Sequence, residues 1–256
     1  MNRIDTLFQK KKNNILSVFY TAGFPQFDAT INIASLLEKG GADMLEIGIP
    51  YSDPLADGPV IQHSSSVAIE NGMSLQVLFT QLKNFRKQCN LPALLMGYMN
   101  PVLQFGFEKF CKECKASGID GLILPDLPLD DFEKYQALFN KNNLHVVFLI
   151  TPQTSAERIR LIDKLSTGFI YMVSSASTTG KSAGFSKEQI AYFKRIQKMK
   201  LQHPVLTGFG IYDSDTFASA CAYSNGAIIG SHFLKLLEKH PQEKAVQLFF
   251  ESLKRD

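Results

Sequence analysis

A chain of 256 residues with 45% hydrophobic and 20% charged residues has the balance of an ordinary globular protein, which excludes disordered and fibrous classes. Its formal charge of +3 is dispersed, with Lys10-Lys11-Lys12 the only basic triplet, so no nucleic-acid footprint is present, while a small anionic ligand stays compatible. Met1–Asn14 has no apolar core segment and no later apolar run nears the roughly 20 residues needed to span a bilayer, so neither secretion nor membrane insertion is expected.

Strand-length apolar runs occur at Ile15–Thr21, Ala42–Ile49, Ala93–Met99, Gly121–Leu124, His145–Ile150, Gly168–Val173, Val205–Thr207 and Gly226–Ile229. Helix-period segments follow them: Asp28–Glu38, Pro59–Glu70 with Leu75–Gln88, Phe107–Ser117, Asp130–Asn140, Ser155–Leu165, Lys187–Lys200, Asp213–Ala222 and Gln242–Lys254. Most open on an Asp, Ser or Pro at a capping position. Such alternation demands a parallel sheet covered by helices. Eight units, with no composition break, favour closure into a single-domain (β/α)8 TIM barrel over residues 1–256, with an extra N-terminal helix and a mobile loop after the sixth strand. An open, doubly wound sheet is the alternative. The turn after the first strand, Tyr20-Thr-Ala-Gly-Phe-Pro25, lacks the Gly-x-Gly-x-x-Gly fingerprint that would support it.

The four cysteines, Cys89, Cys111, Cys114 and Cys221, are too scattered for a disulfide framework, so a reducing cytoplasm is the expected setting. Cys111 and Cys114 have redox or zinc spacing, but they sit inside a helical pattern without a second pair, and no metal site is expected.

Candidate chemistry concentrates in Leu45–Gln62. Alternation across Met44–Ile49 puts Leu45, Ile47 and Ile49 on one strand face and Met44, Glu46 and Gly48 on the other. In an open sheet Glu46 is a solvated surface acid. In a barrel it faces the interior near the active-site mouth, where burial raises its pKa and suits it to proton transfer near neutrality. Asp57-Gly58-Pro59 reads equally as a turn and helix start or as a second functional carboxylate. Glycine turns at Thr207-Gly-Phe-Gly-Ile211 and Ile229-Gly-Ser231 follow the last two strands, where barrels commonly hold a phosphate on backbone N–H groups. Ser174–Gly184, small and polar, has the composition of a lid.

Taken whole, Leu45-Glu-Ile-Gly-Ile-Pro-Tyr-Ser-Asp-Pro-Leu-Ala-Asp-Gly-Pro-Val-Ile-Gln62 resembles the signature of the tryptophan synthase alpha chain family. Phe19–Pro25, Met96-Gly-Tyr-Met-Asn-Pro101, Leu124-Pro-Asp-Leu-Pro128 and both glycine turns extend the likeness. The resemblance implies retro-aldol cleavage of indole-3-glycerol phosphate to indole and glyceraldehyde 3-phosphate, with no cofactor in this chain. By the same likeness Glu46 is the acid/base residue, and Asp57 holds the indole N–H and stabilises positive charge on the ring. Phe19, Met96 and Tyr171 match pocket positions, Thr179 matches the lid threonine, and Gly180, Gly210, Gly230 and Ser231 match the phosphate site. The implied partner is a beta chain carrying pyridoxal phosphate, in an αββα heterotetramer, with Asp53, Pro54 and Asp126 matching the residues of communication.

One departure stands out. The family's loop usually reads Ser-x-x-Gly-x-Thr-Gly, often with an early arginine, whereas Ser175 and Ser177 stand here at the arginine and glycine positions. A serine forced to positive φ costs on the order of 1 kcal/mol, so slowed lid closure is the expectation, with an activator of the beta chain as the alternative to a full lyase.

Overall fold

The structure, a computed structural model, describes residues 1–174 and 184–253. Its strands are β1 (Ile15–Thr21), β2 (Met44–Gly48), β3 (Ala93–Met96), β4 (Gly121–Ile123), β5 (His145–Ile150), β6 (Ile170–Val173), β7 (Val205–Gly208) and β8 (Gly226–Ile229). Each pairs in parallel with its sequence neighbour, and β8 returns to β1. The barrel is therefore closed, and the open-sheet alternative falls. Strands covered on both faces are mostly apolar, and β1, β2 and β3 are buried at every residue, with Ser17, Thr21 and Glu46 as their polar exceptions.

Helices wrap this barrel in chain order: α1 (Arg3–Lys10), α2 (Ala29–Gly40), α3 (Pro59–Glu70), α4 (Leu75–Leu82), α5 (Met99–Phe105), α6 (Phe107–Ser117), α7 (Leu129–Lys141), α8 (Ala156–Leu165), α9 (Lys187–Lys198), α10 (Ser214–Cys221), α11 (Ser231–Lys239) and α12 (Gln242–Leu253). The caps read from sequence are real at Ser155 and Asp213, whose side chains accept from Arg158 N and Thr216 N. Among the described residues no helix is long and apolar enough to cross a membrane.

Beyond shifts of one or two residues at element ends, three features differ from the sequence reading. The third strand stops at Met96 rather than Met99, because Gly97 leads straight into α5, whose first N–H, on Met99, is held by both oxygens of Asp126 at 3.0 Å. The helix begun at Leu75 ends at Leu82 and resumes only as a 3-10 turn at Phe85–Lys87. There Arg86 turns inward to the carbonyls of Gly118 and Leu91 and the carboxylate of Asp120. Helix α11 lies between β8 and α12, burying Phe233, Leu234 and Leu237.

The pole opposite the strand C-termini is plugged by α1. Ile4 is fully buried, 3.1 Å from where a side chain on Gly121 would begin. Asn2 caps the helix and donates to the carbonyls of Asp120 (2.8 Å) and Asn143 (2.9 Å). Arg3 pairs with Asp120 at 3.0 Å, and Asp5 meets His145 at 2.8 Å. Cys111 and Cys114 are buried free thiols on the inner side of α6. Among the described residues no group of three His, Cys, Asp or Glu side chains could hold a metal.

Candidate active site

The strand register decides which side chains look inward. Phe19 on β1 lies beside Glu46 on β2, which lies beside Leu94 on β3; Gly48 lies beside Met96. Side chains paired this way share a face, so Ser17, Phe19, Glu46, Leu94 and Met96 line the interior, while Leu45 and Ile47 pack outward under the helices. Glu46 is fully buried. Its Oε1 accepts a 2.8 Å hydrogen bond from Ser17 Oγ, and its Oε2 has no partner. Burial pushes its pKa up from 4.5 to about 8, against a smaller downward pull from Ser17. At neutral pH this carboxyl holds its proton and can release it.

Asp57 sits in the loop after β2, its backbone N–H bonded to Pro54 O at 3.0 Å. Tyr98 donates to Asp57 Oδ2 at 2.8 Å and accepts from Ala56 N at 3.1 Å. Tyr98 is steadied by the Tyr51 ring, 5.2 Å away between centroids. Burial raises the pKa of Asp57 and the Tyr98 bond lowers it. Tyr98 itself is raised by burial first and then by the charge of Asp57, so it remains a donor. The two carboxyl groups thus differ in surroundings: one is dry and tied to a single hydroxyl, the other sits at the mouth on a phenol. Such a difference separates a proton carrier from a fixed charge.

Phe19, Asp57, Met96 and Tyr98 line one pocket, closed on its other sides by Ile49 and Pro125. Tyr171 is the second residue of β6, buried and raised in pKa by burial and then by the charges of Glu46 and Asp57. Its hydroxyl occupies the space a side chain on Gly208 would need. Phe19 is shared between two glycines: its Cζ lies 2.6 Å from where a Cβ on Gly48 would be, and its Cδ1 3.1 Å from the same point on Gly230. The apolar pocket and the glycine corner therefore meet on one ring. In that corner Phe209 and Gly210 both have positive φ, 73° and 74°, and Gly230 caps α11, whose first residue is the exposed Ser231.

Asp53 and Asp126 lie exposed on the rim, with Asp126 committed to the start of α5, whereas Pro54 is buried and lines the pocket. Ser175, Ser177, Thr179 and Gly180 lie outside the described residues. Sequence reasoning passed over Ser17, Tyr98 and Gly208. Each left a signal: a serine two residues before Phe19 and on its face of the strand, a phenol inside the Met96–Pro101 run, and a glycine at the strand end of the Thr207–Ile211 turn.

The family model for the tryptophan synthase alpha chain matches residues 5–254. A tryptophan synthase alpha chain of Flavobacterium psychrophilum is 56% identical, over 94% of this chain and 95% of its own length. That of Phocaeicola vulgatus is 50% identical over 99% of this chain and 100% of its own. Among solved structures, tryptophan synthase subunit alpha from Legionella pneumophila superposes with a TM-score of 0.89 at 32% identity, covering 99% of this chain and 97% of that one.

Proposed function

Because the chain belongs to the tryptophan synthase alpha chain family, we propose that Glu46 and Asp57 carry the family's reaction in this barrel. The protein is a carbon–carbon lyase of tryptophan biosynthesis that cleaves indole-3-glycerol phosphate. The family uses no cofactor, and pyridoxal phosphate resides in the beta chain.

In this reading neutral Glu46 gives its proton to C3 of the indole ring. Positive charge then spreads to the ring nitrogen, whose N–H faces the Asp57 carboxylate held by Tyr98. The Glu46 carboxylate takes the proton of the hydroxyl on the carbon attached to C3. The bond between that carbon and the ring breaks, its electrons return to the ring, and an aldehyde and indole leave without net gain or loss of a proton. Phe19 and Met96 form the apolar slot, Tyr171 bounds it below, and Gly210, Gly230 and Ser231 take the phosphate on backbone and hydroxyl donors. Thr179 and Gly180 complete this assignment by family likeness.

The observation that carries the proposal is the fully buried Glu46 with one unpartnered oxygen, paired in the sheet with Phe19, which lines one pocket with Asp57. Steady-state release of indole by the chain with its beta chain tests it. Glu46→Gln should lower turnover at least about 100-fold, the range of general acid–base catalysis; unchanged turnover would remove Glu46 from the mechanism. Nothing among the described residues favours weakened turnover in the parent chain.

A beta chain is the partner the family implies. The finer proposal is an αββα heterotetramer in the cytoplasm, with the whole chain acting as one domain and Asp53, Pro54 and Asp126 at the contact. The exposure of Asp53 and Asp126 on the rim, with Pro54 between Asp53 and the pocket, supports it. Mass measurement of the mixed chains checks the stoichiometry.

A further inference from the structure

A hydroxyl fully buried inside a barrel needs a partner, and an aliphatic side chain would fill the same space without that need. Ser17 lies in the layer below Phe19, beside Met44 on β2 and Ile228 on β8, both apolar. Its described partner is Glu46 Oε1, at 2.8 Å, and Glu46 has no other described hydrogen bond. A carboxyl that both gives and takes a proton sets its neighbour an unusual demand. A lysine ammonium meets only half of it, because its charge favours the carboxylate over the acid. A serine hydroxyl is a neutral donor on a free rotor, so it bonds Oε1 of the carboxylate and bonds the same oxygen, then a carbonyl, when the proton sits on Oε2.

We propose that Ser17 is a positioning residue for Glu46, its hydroxyl holding Oε1 in both protonation states and leaving Oε2 as the oxygen that exchanges the proton with substrate. The proposal rests on the reading of Glu46 as the acid/base residue. Phe19 and Leu94 flank Glu46 along the sheet and do not titrate. Across the barrel Tyr171 on β6 feels the charge of Glu46, and Asp57 in the loop after β2 also acts on Tyr171. Ser17 is the one group among these bonded to the Glu46 carboxyl.

The test uses the full chain. Carbon-13 NMR follows the titration of the Glu46 carboxyl in the free protein, and indole release with the beta chain gives kcat and KM across pH. In Ser17→Ala the carboxylate loses its donor, so the titration should move up by about one pH unit. The pH profile of kcat should move with it, and the loss of a fixed carboxyl orientation should separately lower the plateau of kcat about three- to tenfold, KM staying within about twofold. Ser17→Thr, which keeps the hydroxyl, should restore the parent titration, whereas Ser17→Cys, close in volume but a weak donor, should follow alanine. Should the alanine variant fail to fold, the threonine and cysteine pair carries the comparison. Superimposable titrations and profiles for the parent and the variants lacking the hydroxyl overturn the proposal. Full turnover in Glu46→Gln would instead overturn the reading of Glu46, and the NMR titration, which needs no turnover, keeps the two failures apart.

Discussion

Replacing Glu46 by Gln should stabilise the fold at alkaline pH while destroying its chemistry. The folded pKa of about 8 stands above the ordinary 4.5, a gap of about 3.5 pH units. Between those values the unfolded chain ionises Glu46 and the folded protein does not. The group's contribution is therefore fully present below pH 4.5 and is lost as pH rises through about 8. At about 1.36 kcal/mol per unit, wild type loses roughly 1 kcal/mol by pH 5, about 3 by pH 7 and about 5 by pH 9, relative to a chain that cannot ionise there. Glutamine keeps an acceptor for Ser17 but puts an NH2 where Oε2 has no partner, which costs about 1–3 kcal/mol at every pH. The variant should thus be no more stable than wild type at pH 5 and about 2–4 kcal/mol more stable at pH 9. Urea unfolding at pH 5, 7 and 9, with free energies summed over any intermediates, measures the difference. The informative quantity is its swing of about 4 kcal/mol. A difference constant to within about 1 kcal/mol across that range would mean that Glu46 is not held neutral by burial, and the acid step assigned to it would lose its basis.

Other outcomes follow from the same geometry. Tyr98→Phe removes the hydrogen bond on Asp57 Oδ2 and the acceptor for Ala56 N; indole release should fall about tenfold or more, while circular dichroism stays unchanged. Gly208→Ala drives a Cβ into Tyr171, so thermal unfolding should report a loss of about 1–3 kcal/mol and steady-state kinetics a raised KM. Asp120→Ala leaves the guanidinium of Arg86 buried without its carboxylate, and Arg3 and Ala93 N lose the same partner. That should destabilise by about 3–5 kcal/mol in urea while kcat at a permissive temperature stays within about twofold, since the pair lies at the pole away from the pocket.

The order of elements, the closure of the barrel and the inward aim of Glu46 were legible because a parallel barrel builds each strand from a short apolar run, turns alternate side chains of it inward, and follows it with a helix. Where the reading failed, a distant partner had intervened. Nothing local to Ala93–Met99 announces that Asp126 will seize the N–H of Met99 and start a helix there. Nothing around Leu75–Gln88 shows that Arg86 will leave the helical period for Gly118 and Asp120, more than thirty positions away. The site divided in the same manner. The glutamate and aspartate stood out by type and motif, but the partners that govern their protonation, Ser17 and Tyr98, come from other strands and loops. Only the register of β1 on β2, and the approach of the loop after β3 to the loop after β2, brings each pair together.

The helical plug at the closed pole also has a bearing on how the protein is made. Asn2 finds its carbonyl partners 118 and 141 positions later in the chain. At the roughly 5–20 residues per second of synthesis, α1 emerges about 7–28 s before Asn143 exists to receive it. For that interval its apolar side, with Ile4 and Phe8, has no finished barrel floor to rest on. Its polar make-up, with Arg3, Asp5, Gln9 and Lys10, keeps such a segment soluble while it waits. Helix α1 is thus seated only after the chain through Asn143 has been made, and a truncation that ends before β5 leaves it without its full set of partners.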